Sequence, residues 1–156
     1  MRFFKTLISS AITAATLLVA PVQAAEFTDG EQFLIESLVE AGVTLAAGDC
    51  PTDENYGFYI PSEKYIGICT NVATDEAMAW ETLRHEAVHV AQACIDPKMQ
   101  TMVHNRAYIQ ANASFEDRIL IAAHYDRSDW TVELEAFTLE HKSNEYIASM
   151  VNYACN

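Results

Sequence analysis

The stretch LRHEAVHVAQAC, residues 83–94, sits inside the longest helical pattern of the chain and constrains the fold more than any other segment. Thr74-Asp75-Glu76-Ala77 opens the pattern with a capping threonine and with acids over the positive helix end. Asp96 and Pro97 close it, which predicts a helix from about Asp75 to Ala93. At about 3.6 residues per turn, His85 and His89 lie about 400° apart, so both imidazoles leave the same face one turn from each other. Two neutral ring nitrogens at that spacing suit Zn²⁺, at about 2.0–2.1 Å from each. Glu86 lies about 100° further round the helix. That makes it a poor ligand, but it can reach a water beside the ion, whose pKa zinc lowers towards about 7. The plain alternative is a helix that carries two of the chain's five histidines and no metal.

A catalytic zinc needs a third protein ligand and an open fourth position. A histidine six residues after His89, preceded by a glycine, would supply it, but those positions are Ile95 and Gln92. The remaining source is a carboxylate on a later helix. WTVELEAF, residues 130–137, opens a segment carrying Glu133, Glu135 and Glu140. Glu133 and Glu140, seven apart, share a face, and Glu135 points elsewhere.

HExxH at His85, Glu86 and His89, followed on a later helix by Glu133 in an E-x-x-A setting with Ala136, resembles the gluzincin branch of zinc metallopeptidases. The closest likeness is to minimal gluzincin-like domains, in which a small sheet precedes the HExxH helix. The resemblance covers about Tyr56 to His141. It selects Glu133 as the third ligand and implies one Zn²⁺ per chain, with Glu86 as general base and later proton shuttle. In that family an Asp or Asn four residues after the glutamate often braces a ligand histidine. Phe137 stands there instead, so the brace must come from elsewhere, with Asp126 and Asp129 as candidates. A peptidase also needs a donor for the oxyanion. His104, His124, Tyr108, Tyr125 and Tyr146 are the available side chains, and the pair His124-Tyr125, shortly before Glu133, is the preferred choice.

The first residues have the three-part layout of a secretory leader: Arg2 and Lys5, an uncharged apolar run from Thr6 to Ala20, and small residues at Val22 and Ala24. The run is short for a membrane span. Residues 1–24 are therefore expected to be a signal peptide, and 25–156 a single domain in the secreted or periplasmic protein. Loss of Arg2 and Lys5 leaves seven basic against 22 acidic side chains, a net charge of about −15 instead of −13. Such a surface repels nucleic acid and anionic membrane, which argues against both as partners; a peptide or protein substrate is what the gluzincin resemblance implies. Whether an inhibitor or regulatory partner acts on it is not written in the sequence. Cys50, Cys69, Cys94 and Cys155 all follow the leader, which predicts two disulfides. The pairing Cys50–Cys69 with Cys94–Cys155 is preferred, one clipping a local segment and the other tying the C-terminus to the HExxH helix.

The remaining patterns give an α+β order. A first helix starts at a Thr28/Glu31 capping box, carries Phe33, Leu34, Leu38 and Val39, and stops at Gly42. VTL at 43–45 reads as a short strand. Tyr56–Ile60 and Tyr65–Cys69, joined by Pro61 to Lys64, read as a hairpin, for a small antiparallel sheet. After the HExxH helix come a polar stretch around 96–114 and two or three helices: Ser114 capping Glu116 to Ala123, Ser128 or Asp129 capping Trp130 to about His141, and Ser143 or Asn144 opening the last. Two functions fit. One is a secreted zinc metallopeptidase, for which Glu86 is the distinguishing feature. The other is a non-catalytic zinc-binding or protein-interaction domain that keeps such a fold.

Overall fold

A computed structural model describes residues 27–51, 55–99, 101–104 and 106–156. The leader expected over residues 1–24 and the start at Ala25 lie outside the described residues. Capping chemistry sets most helix starts. Thr28 accepts from the Glu31 amide while Glu31 accepts from the Thr28 amide, so the expected box opens α1, Asp29–Glu40. Gly42 ends it with a φ of 83°, a conformation that favours glycine, and the Lys64 ammonium caps the Ala41 carbonyl. Strands β1 (Thr44–Gly48), β2 (Gly57–Ile60) and β3 (Tyr65–Cys69) follow, then α2, Glu76–Ile95. Its cap is Asp75, one residue after the expected Thr74; the Asp75 carboxylate accepts from the Met78 amide at 2.9 Å. The C-terminal half holds α3 (Arg106–Asn112), α4 (Phe115–His124), α5 (Trp130–Leu139) and α6 (Asn144–Cys155). Ser114 and Ser143 cap α4 and α6 as expected, whereas α3 forms within the stretch expected to be irregular.

The sheet departs from expectation in one respect. β2 and β3 pair antiparallel as the hairpin pattern predicts, but β1 pairs with β3 in parallel, giving a mixed sheet of order β1-β3-β2. The physical reason lies at one end of the sheet. Cys50 stands two residues past the end of β1 and Cys69 ends β3; their disulfide holds both strand ends together, and the Thr70 amide donates to the Gly48 carbonyl. Two strands that finish at the same point run the same way. An apolar run such as 43–45 carries no information about direction.

α2 is the middle of the molecule. It packs against α5 and α6 and against β2 and β3, while α1 covers the other side of α6. Ala87, Val88, Val90 and Ala91 are buried to 1% exposure or less, joined by Leu34, Leu38, Ile66, Leu139 and Ile147. Each large apolar side chain removed from water contributes about 1.5–3 kcal/mol, against about 1 kcal/mol for a cap. Packing on α2 therefore holds the surrounding elements, and the caps only fix where they begin.

The disulfide Cys94–Cys155 ties the last turn of α6 to the end of α2. Its sequence separation of 61, against 19 for Cys50–Cys69, predicts a larger constraint on the unfolded chain. We expect replacement of Cys94 and Cys155 by alanine to cost about 4 kcal/mol and of Cys50 and Cys69 about 3 kcal/mol, read from urea unfolding. A smaller loss for the longer loop would contradict this ordering.

Candidate metal centre

The helical arithmetic holds in three dimensions. His85 and His89 project from one face of α2 with ring centroids 5.0 Å apart, and both are buried. α5 crosses that face and delivers Glu133, whose Oε2 lies 3.4 Å from His85 Nε2 and whose Oε1 lies 3.5 Å from His89 Nε2. One ligand atom from each of the three lies within 4.8 Å of the others. Two ligands at about 2.05 Å from a tetrahedral ion are separated by about 3.3 Å, so these spacings fit zinc. Glu133 Oε2 is also buried without a hydrogen-bond partner, a costly condition that a cation at this point would relieve. The donor set of two imidazoles and a carboxylate has the right chemistry for the same ion.

Behind the ligands stand braces that sequence reasoning did not place. His85 Nδ1 meets Glu140 Oε2 at 2.7 Å, and His89 Nδ1 meets Gln92 Oε1 at 2.8 Å. Asp126 and Asp129 do not serve: both are exposed. Glu140 lies two turns after Glu133 on the same face, and Gln92 is three residues after His89, so each could have been found by extending the periodicity. Phe137 occupies the position where a brace was looked for and packs edge-on against His85, ring centroids 4.6 Å apart. Arg84 holds the end of α5 from the other side, donating through Nε to the Glu140 carbonyl and through Nη1 to Asn144 Oδ1.

Glu86 is buried next to this cluster, beneath the start of β2. A Cβ added at Gly57 would meet Thr82 Cγ2 at 2.5 Å and lie 3.5 Å from Glu86 Oε1, so only glycine lets the strand approach so closely. Burial raises the Glu86 pKa, with His85 and His89 opposing the shift and Glu133 and Glu140 adding to it. Tyr125, half-buried, packs its ring against Phe137 at 6.0 Å. Burial pushes its phenol above the usual range, as do the nearby charges of Glu133, Glu86 and Glu140, so it stays protonated and able to donate. His124 is exposed at the end of α4, apart from the triad. His104, Tyr108 and Tyr146 stack together beside Glu135, and His141 pairs with Glu81 at 3.0 Å on the surface.

Residues 27–155 match a family model described as "Domain of unknown function (DUF8637)". The chain belongs to that family. No curated protein and no solved structure matches it. The matched span contains the whole triad, Glu86, both braces and all four cysteines. The two disulfides fit maturation in an oxidising environment, and no helix among the described residues is long and apolar enough to cross a membrane.

Without a metal, protons stabilise the cluster. Burial disfavours a charged His85, but the nearby carboxylates of Glu133 and Glu140 prevail and push its pKa up to about 10. Burial likewise opposes ionisation of Glu133, yet His85 and His89 hold its pKa down at about 2. The raised histidine stabilises fully below its ordinary value of 6.5 and loses that contribution as pH rises through about 10. The depressed glutamate stabilises fully above its ordinary value of 4.5 and loses it as pH falls through about 2. Thermal melts of chelator-treated protein should therefore peak between about pH 4.5 and 6.5 and fall on both sides. A melting temperature still rising from pH 6.5 to 10 would contradict this charge arrangement.

Proposed function

We propose that this chain is a secreted zinc metallopeptidase of gluzincin type, exported by its leader and acting on peptide bonds of extracytoplasmic protein. The observation that carries the reading is that one ligand atom each from His85, His89 and Glu133 lies within 4.8 Å of the others, with a buried Glu86 beside them. Zinc held there supplies Lewis acidity, lowering the pKa of a water and polarising a carbonyl.

The chain's own side chains do the rest. Glu86, its pKa raised by burial, takes the proton of the attacking water and passes it to the leaving amine nitrogen. Tyr125 donates its phenolic O–H to the developing oxyanion, and its raised pKa keeps that donor in place at neutral pH. Glu140 and Gln92 hold the imidazoles in the orientation that turns both Nε2 atoms inward. β2 is an edge strand that begins at Gly57 against Glu86, so an extended peptide has main-chain groups to pair with next to the base. A non-catalytic zinc-binding domain would need His85, His89 and Glu133, but neither a buried acid at Glu86 nor the protonated phenol at Tyr125.

Elemental mass spectrometry of residues 25–156 should find one zinc per chain, absent in His85→Ala. Glu133→Ala should lose that zinc or bind it far more weakly; unchanged affinity would move the ligand role to Glu140. Glu86→Gln should retain zinc while peptide hydrolysis falls by at least about 10²–10⁴-fold, the usual worth of a positioned general base. Hydrolysis at the unmutated rate in Glu86→Gln would overturn the mechanism, and zinc binding without hydrolysis in the unmutated protein would favour the binding domain.

A further inference from the structure

Gln92 and Glu135 are fully buried, and neither is a ligand or a base in the reading above. Gln92 Nε2 donates to the Val132 carbonyl at 3.0 Å and to Glu135 Oε2 at 2.9 Å. Both partners are pure acceptors, so the amide nitrogen must face them and the amide oxygen must face the other way. That oxygen lies 2.8 Å from His89 Nδ1, and an amide oxygen can only accept. His89 Nδ1 therefore carries a proton, so whenever the ring is neutral the lone pair is on Nε2, the atom that faces Glu133. Glu135 is held in turn: the Val103 amide donates to its Oε2 at 2.9 Å and the His104 amide to its Oε1 at 2.6 Å. Three N–H donors, with His104 Nδ1 a further 3.2 Å contact to Oε1, meet a carboxylate with no access to water and fix its orientation.

We propose that Glu135 and Gln92 are positioning residues that act in series, the carboxylate fixing the amide and the amide fixing the metal-binding tautomer of His89. The loop at 103–104 is part of the device, because its two amides pin the carboxylate at the far end. His85 has a simpler arrangement, a single carboxylate from Glu140 on its Nδ1. The two ligand histidines are thus set by different means, one by a charge on α5 and one by a neutral amide on its own helix. This inference rests on the zinc reading for its purpose but not for its geometry.

The test uses Gln92→Met, which keeps the volume and removes the amide, and Glu135→Gln, which sets an amide NH2 against one of the donors that the carboxylate satisfied. In the metal-free unmutated protein, at a pH where the ring is neutral, ¹⁵N NMR should show His89 with its proton on Nδ1 alone, and Gln92→Met should show both tautomers. The zinc dissociation constant, measured by chelator competition, should rise about 10–100-fold in Gln92→Met, the usual loss when such a partner is removed. Glu135→Gln should also weaken zinc, and the double variant should bind no worse than Gln92→Met, since both changes act through one bond to His89. Independent structural roles would instead add. A proton on Nε2 in the unmutated protein, unchanged zinc affinity in Gln92→Met, or additive losses would each overturn the proposal. If the unmutated protein takes up no zinc, the metal reading falls, and the tautomer measurement still decides the positioning role.

Discussion

The contact between α2 and α5 is the constraint from which the rest of the structure follows. α5 carries three buried acids, Glu133, Glu135 and Glu140, and α2 carries the three groups that meet them, His89 and His85, Gln92, and His85 again. Buried charge is tolerated only where partners satisfy it, and removing one partner of such a pair costs about 3–5 kcal/mol. Sliding α5 by one turn would break all of these pairings together. Apolar packing of Ala87, Val88, Val90, Ala136 and Leu139 brings the helices together, and the polar pairs specify how they lie. The site is therefore part of the core rather than an addition to its surface.

Holding that contact in place is the business of the periphery. Arg84 clamps the end of α5 to the start of α6, Cys94–Cys155 fastens the end of α6 to α2, and Glu135 draws the 103–104 loop over the same helices. A ligand set has to be held within about 0.5 Å of its working geometry. Here each of the three side chains proposed as ligands comes from a helix restrained at more than one point. The sheet enters through Gly57, where the missing side chain lets β2 approach Thr82 and Glu86. Packing, positioning and the proposed chemistry thus share the same few residues.

Much of this was legible in advance because it obeys local periodicity. His85, His89 and Glu86 follow from helical spacing, and the capping residues Thr28, Ser114 and Ser143 mark real helix starts. Both cysteine pairs match the expected pairing. The parallel β1 was hidden because a short apolar run looks alike in either direction, although the Cys50–Cys69 pairing, followed through, implies that both strands end together. The braces were missed for a different reason. The resemblance points to the position occupied by Phe137, whereas Glu140 and Gln92 reach the imidazoles from two turns after Glu133 at the C-cap of α5 and from the HExxH helix itself.

By itself the sequence determined which side chains share a helix face, where most helices begin and that the four cysteines form two disulfides with one of three pairings preferred, since these depend on neighbours a few residues away or on a small set of combinations. Tertiary structure decided which of three glutamates meets the histidines, and it sent Glu135 to Gln92 and the loop and Glu140 to His85. It also brought Tyr125 near the carboxylates and left the adjacent His124 in solvent. These choices turn on the angle and register at which α5 crosses α2, and that crossing is set by apolar packing together with polar pairs such as Gln92 with Val132 and Glu135, 40 and 43 residues apart in sequence, which no local pattern records.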